Sequence, residues 1–158
     1  MENNININKD LPLLICDADE VIFNFMDSFD EFLNINDMYF SYETFKLNGN
    51  ILRKKNNLAI DNNEVPKIIS SFFKHYTMKM PFINNAREVL KELSTRINII
   101  ILSNIPKDSS SDRINYLKKN DMHYTFICNE GPKNKKCMEL EKLTNKKVFF
   151  IDDLPNQI

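Results

Sequence analysis

Hydrophobic and polar positions along this chain fall into blocks of two kinds. Four short runs are almost wholly apolar and give way at once to polar or acidic residues: Leu11–Cys16 (LPLLIC), Ile97–Leu102 (INIIIL), Tyr124–Cys128 (YTFIC) and Lys147–Ile151 (KVFFI). Runs of this length without alternation predict strands buried on both faces. Between them the apolar positions recur at helical spacing. Asn84–Leu93 carries Ala86, Val89, Leu90 and Leu93 at i, i+3, i+4 and i+7; Ser109–Asn120 aligns Ile114 with Leu117 behind a serine-rich start; Lys135–Leu143 supplies Met138, Leu140 and Leu143. Strands separated by helices imply right-handed βαβ units and a parallel sheet in a three-layer α/β fold.

The interval 25–81 breaks this rhythm, because it contains no run of the buried-strand type. Met26, Phe29, Phe32 and Leu33 recur at helical spacing, and Val65–Tyr76 reads as a second helix. Asn48–Asn50 and Arg53–Asn57 read as loops. The expected organisation is a core made of 9–24 and 82–158, with a mostly helical insertion at 25–81. The Asn-rich first eight residues read as a frayed lead-in.

Composition adds limits. A chain of 158 residues has the size of one domain and can bury roughly 70% of its unfolded surface without staples. With 21 basic and 22 acidic residues, it has no global pull toward nucleic acid or a membrane surface. No stretch approaches the ~18 apolar residues of a membrane span, and the N-terminus lacks the pattern of a secretory signal. Cys16, Cys128 and Cys137 are odd in number and have no C-x-x-C spacing, so they fit neither a disulfide framework nor a zinc site. The expected setting is the cytoplasm.

The chemistry gathers where the apolar runs end. In a parallel α/β sheet, ligands bind at the carboxyl ends of the strands. Those ends deliver Asp17, Asp19 and Glu20; Ser103 and Asn104; Asn129 to Lys133; and Asp152 with Asp153. Carboxylates directed to one edge repel unless a cation lies among them, and unit charges ~4 Å apart interact by roughly 4 kcal/mol at an effective dielectric of 20. Hard oxygen ligands without His or Cys select Mg²⁺, which commonly shares its coordination with a substrate phosphate. Lys133 and Ser103 suit such a phosphate, so the reaction class these residues suggest is phosphoryl transfer. The D-x-D spacing puts Asp17 and Asp19 on one side of an extended segment, with Ala18 facing away. One carboxylate can then attack phosphorus while the other handles the proton.

The ordered set ICDADEVI, ILSN, GPK and FFIDD resembles the four motifs of the haloacid dehalogenase-like hydrolase superfamily, over nearly the whole chain from Leu11 onward. The resemblance implies a Rossmann-like core with a small helical cap of the C1 type inserted after the first strand. It implies Asp17 as nucleophile and metal ligand, and Asp19 as general acid/base whose main-chain carbonyl also meets the metal. Ser103 and Asn104 would hold the phosphoryl group, Lys133 would orient Asp17, and Asp152 and Asp153 would hold Mg²⁺. An acid at position 19 favours phosphate over halide chemistry. The expected activity is hydrolysis of a small phosphorylated metabolite or nucleotide, with no nucleic acid polymer and no membrane as partner. The alternatives are a 5'-nucleotidase-like or phosphomutase activity, or a catalytically silent binding module. A receiver-type signalling domain has similar groups but places its acid pair on the first strand and its Lys last, the reverse of the order here.

Three departures qualify the resemblance. Glu20 stands where the family commonly has Gly. Lys136 competes with Lys133 as the third-motif lysine. The sequence ends five residues after Asp153, where the family commonly adds another strand and helix, so the fourth strand is expected to form a sheet edge at a truncated end of the core. His75, in the aromatic stretch 72–76, and the basic run Arg53–Lys55 are secondary candidates for facing a substrate from the cap.

Overall fold

The computed structural model describes residues 5–44 and 46–154. Strand β1 (Leu13–Cys16) leads into helix α1 (Phe25–Ile35), strands β2 (Met38–Phe40) and β3 (Ile51–Arg53), and helix α2 (Val65–Tyr76). Then follow α3 (Ala86–Leu93), β4 (Asn98–Ser103), a 3-10 turn (Lys107–Ser109), α4 (Ser110–Lys119), β5 (Thr125–Cys128), α5 (Asn134–Glu141) and β6 (Val148–Ile151). Four strands form one parallel sheet in the order β5-β4-β1-β6, with β1 pairing β4 on one side and β6 on the other. This is the parallel α/β architecture that the four apolar runs predict.

Alternation along β1 assigns its residues to two cores. Leu13 and Ile15 join Ile100, Leu102 and Leu140 on the α5 side, whereas Leu14 and Cys16 join Ile99, Ile101 and the larger cluster that runs through the insertion. Ile5 and Ile7 pack against the α5-side core, so that part of the expected lead-in is anchored. Residues 1–4 lie outside the described residues. Asn98 reinforces the anchor by accepting from the Asn8 N–H at 2.9 Å and donating to the Asn8 carbonyl at 2.8 Å.

The interval 25–81 contains two helices as expected, but it also contains an antiparallel hairpin. Met38 pairs with Arg53, Tyr39 with Leu52 and Phe40 with Ile51. These three-residue strands have no long apolar run, and their stability comes from packing Met38, Phe40 and Ile51 onto α1 and α2. The helices interlock through aromatic rings, with Phe29, Phe32 and Phe72 in mutual contact at centroid distances of 5.1 to 6.4 Å. The two ends of this interval lie side by side: the Asn24 N–H donates to the Pro81 carbonyl at 2.9 Å, and the Ile83 N–H to the Ile22 carbonyl at 2.9 Å.

Two helical positions expected to be buried are exposed, Val89 at 51% and Met138 at 65%. Short helices bury a narrow stripe, here Leu90 and Leu140. β6 pairs only with β1 among the described residues and is an edge, with Phe149 and Ile151 at 49% and 45% exposure. No helix among the described residues is long and apolar enough to cross a membrane.

Candidate active site

The carboxyl end of β1 runs directly into a tight turn. The Ile22 and Phe23 N–H groups both donate to the Ala18 carbonyl, at 2.8 and 3.0 Å, and Ala18 is fully buried. This holds Asp17 and Asp19 at the sheet edge while the intervening side chain faces the core. Glu20 adopts a left-handed φ of 56°. That backbone is easiest for Gly, and a side chain there needs a compensating contact. Glu20 has one, because its carboxylate accepts the Met26 N–H at 2.6 Å and caps the start of α1.

Lys133 lies just after Gly131, whose φ of 79° turns the chain from β5 into α5. Its ammonium sits 2.6 Å from Asp17 Oδ1 and 2.7 Å from Asp152 Oδ2, with the lysine 2% exposed. Asp152 is held from its other oxygen by the Leu154 N–H at 2.9 Å. The Asp17 N–H donates to the Ile151 carbonyl at 2.9 Å, joining the ends of β1 and β6. Lys136, the alternative lysine, pairs on the surface with Glu139 at 2.5 Å.

Asp17, Asp152 and Asp153 each offer a carboxylate oxygen, and these atoms lie within 4.8 Å of one another. Burial raises the Asp17 carboxyl to about 7, against the partial offset from Lys133. Asp153 is raised as well, first by burial and then by Asp152. Lys133 moves upward because its two carboxylate partners outweigh the burial that opposes its charge. Three clustered carboxylates with one ammonium remain short of positive charge, and a hard divalent cation fits that oxygen set. The Asp19 side chain is not part of this cluster. Burial also pushes the Cys16 thiol up to about 12, which leaves it unreactive beside the site.

Asp19 has a partner that the sequence reading missed. Arg113 of α4 is fully buried and donates from Nη2 to Asp19 Oδ1 at 2.8 Å. Its guanidinium also stacks over the Phe23 ring, 4.1 Å from the centroid. The available signal was spacing: Arg113 is four residues before Leu117, on the buried stripe of its helix.

The second strand end is arranged differently. Ser103 is fully buried at the end of β4, and its hydroxyl has no hydrogen-bond partner among the described residues. That orphaned hydroxyl is a group a ligand oxygen would satisfy, although Ser103 does not line the cavity beside Asp17. The Asn104 amide is committed to the neighbouring loop, donating to the Gly131 carbonyl at 3.0 Å and accepting from Asn129 Nδ2 at 2.7 Å. Asp17, Asp19, Asn104, Lys133 and Asp153 together border a cavity of about 580 Å³ that extends into the insertion. The two secondary candidates lie away from it. His75 bonds the Ser71 carbonyl at 2.7 Å on an exposed face, and Arg53 pairs with Glu64 at 2.5 Å.

No family model matches the sequence, and no curated protein matches it. Solved structures do. A haloacid dehalogenase-like family hydrolase from Streptococcus pneumoniae superposes with a TM-score of 0.61 at 11% identity, over 93% of this chain and 77% of that one. A proposed phosphoglycolate phosphatase from Lactobacillus plantarum gives a TM-score of 0.61 at 13% identity, over 93% of this chain and 79% of that one. Such identities speak to architecture alone, and they match the fold that the motif order implies: this chain has the haloacid dehalogenase-like fold.

Proposed function

We propose that the protein is a Mg²⁺-dependent phosphatase that hydrolyses a small phosphomonoester through an aspartyl-phosphate on Asp17. The observation that carries this reading is the Lys133 ammonium held between Asp17 and Asp152, with Asp153 within 4.8 Å, at the strand ends and open to a cavity. Asp17, Asp152 and Asp153 would hold the cation through carboxylate oxygens, and Asp19 through its main-chain carbonyl. When bound, the cation supplies the positive charge that lets an anionic nucleophile meet an anionic phosphate.

The remaining work falls to side chains. An Asp17 carboxylate oxygen attacks phosphorus, an O–P bond forms, and the ester P–O bond breaks as Asp19 delivers a proton to the leaving alkoxide. Asp19 then removes a proton from water, whose oxygen attacks phosphorus and frees Asp17 and inorganic phosphate. Lys133 orients Asp17 and balances charge, while the Ser103 hydroxyl donates to a phosphoryl oxygen. Arg113 holds one oxygen of Asp19 in place. Residues 25–81 act as the cap that encloses the leaving group. The site would work on a small metabolite or nucleotide in the cytoplasm, a setting compatible with its three unpaired thiols.

The test is phosphate release from a panel of phosphomonoesters, with Mg²⁺ or with EDTA, by wild type and Asp17→Asn. Release by the wild type that needs Mg²⁺ and is lost in the variant is the expected result. Equal release from both proteins overturns the covalent mechanism. A folded wild type inactive on every substrate points instead to a silent binding module.

A further inference from the structure

The cavity does not end at the carboxylates. Its volume of about 580 Å³ lies within the ~300–1,000 Å³ range of small-molecule sites and leaves ample room beyond one phosphoryl group. Away from the strand ends, its wall is apolar and largely aromatic: Phe25 and Met26 of α1, Phe40 of β2, and Ile69 and Phe73 of α2, with Leu47 from the loop before β3. Phe25 is fixed by ring contacts of 5.4, 5.1 and 5.9 Å to Phe29, Phe72 and Phe73, so this wall is a preformed surface.

Charge along the cavity is one-sided. Glu20 and Glu43 border it in addition to Asp17, Asp19 and Asp153, and among the described lining residues Lys133 is the sole cation. Lys133 is already engaged by Asp17 and Asp152. Two of the three basic residues at 53–55 that could meet a second anion are engaged elsewhere. Arg53 is bound to Glu64, and the Lys54 ammonium donates to the Asn34 carbonyl at 3.1 Å.

We propose that this site selects phosphomonoesters whose leaving group is uncharged and bears an aromatic ring, and that Glu43 at its mouth disfavours leaving groups carrying a second anion. The inference rests on the phosphatase reading above and deepens it. An aromatic ring gains offset or edge-on contact with the Phe25, Phe40 and Phe73 rings as well as apolar burial. A carboxylate in the same place meets Glu20 and Glu43 with no free counter-charge, so discrimination comes from repulsion as much as from attraction. An aryl-alkyl alcohol and a nucleoside share this chemistry. The cavity accommodates either, and the measurement separates them.

Benzyl phosphate, thymidine 5'-monophosphate and phosphoglycolate all leave as alcohols, which keeps leaving-group reactivity similar. With Mg²⁺ and the wild-type protein, kcat/KM for at least one of the first two is expected to exceed that for phosphoglycolate by on the order of tenfold or more. Whichever of the two is faster identifies the ring source. Glu43→Lys, on an exposed loop, is expected to narrow the ratio by improving phosphoglycolate. Calorimetric binding of the same three compounds to Asp17→Asn, and to metal-free wild type, reads the preference without turnover and is expected to show the same order. Turnover that favours phosphoglycolate overturns the aromatic preference and leaves the phosphatase reading intact. Ring-selective binding without any turnover supports the pocket and removes the phosphatase reading. Binding with no preference among the three overturns the inference whatever the turnover.

Discussion

The strand-end edge of the core and the wall of the insertion face one cavity, yet they are built on opposite principles. At the strand ends, charge is concentrated and buried: Asp17 is 6% exposed and Lys133 2%, and they stand 2.6 Å apart. Across the cavity, Phe25, Phe40, Ile69 and Phe73 form an apolar wall, and the polar groups on that side, Tyr42, Glu43 and Thr44, stand on one exposed loop. The first region exerts its effect through a few exact charge pairings, the second through area and shape. Single substitutions should therefore be severe in the first and graded in the second.

The sharpest way to break that contrast is to remove Lys133. Lys133→Met leaves Asp17 and Asp152 buried side by side without their shared ammonium. Breaking a buried pair in this way costs about 3–5 kcal/mol. A large drop in unfolding free energy, measured by urea denaturation without metal, is the expected outcome, together with loss of turnover. A change below 1 kcal/mol would mean that the charges at the strand ends are not coupled as the distances indicate.

Next in size is the pH dependence of the metal-free protein. Burial raises the Asp17 carboxyl to about 7, well above the usual carboxylate range, so the folded state binds this proton more tightly than the unfolded chain does. Stability associated with Asp17 is thus greatest below pH ~4 and falls as pH rises toward 7, by a few kcal/mol at most. Asp17→Asn should flatten that slope and raise stability at neutral pH, and Mg²⁺ should restore stability to the wild type alone. Denaturation midpoints between pH 5 and 8 test both statements.

Arg113 belongs to the strand-end region by contact and to neither by sequence position. Arg113→Met keeps the contact with Phe23 and removes the ion pair with Asp19. Asp19 loses its cation but keeps 17% of its side chain exposed, so water can take over part of the pairing and the fold should lose less than the ~3–5 kcal/mol of a fully buried pair. The catalytic consequence is larger: kcat should fall by on the order of tenfold or more with KM little moved, as expected when a proton-transfer group loses its orientation. An equal rise in KM would assign Arg113 to the cavity wall instead.

The smallest expected effect lies at the hinge between the two regions. Glu20→Gly relieves a left-handed φ but deletes the cap on Met26, two contributions of about 1 kcal/mol each that should nearly cancel. Glu20→Ala loses the cap and keeps the strain, so it should be the less stable of the pair by thermal denaturation.

These regions also differ in how far they could be read before the fold was known. The four buried strands were legible because a continuously apolar run ending in acids has few other uses, and β1, β4, β5 and β6 lie within two residues of the runs that predicted them. The gathering of Asp17, Lys133 and the Asp152–Asp153 pair followed from their place at strand ends. The hairpin of Met38–Phe40 and Ile51–Arg53 was not legible, because three-residue strands carry too little periodicity and are selected by their packing on α1 and α2. Arg113 was hidden for a related reason: an arginine in a polar helix normally faces water, and only the arrival of Asp19 and Phe23 from another segment makes its burial favourable.

By itself, then, the sequence determined the class of fold and the set of acids and lysine at one sheet edge, since both depend on local pattern and chain order. Tertiary structure decided which lysine meets Asp17, what holds Asp19 and what the cavity wall presents. Those outcomes depend on side chains far apart in the chain, 94 residues in the case of Arg113 and Asp19, whose contact no local periodicity encodes. Lys133 and Lys136 look alike within one helical turn. The direction of that turn relative to β1 and β6 buries the first between two carboxylates and leaves the second with Glu139 at the surface.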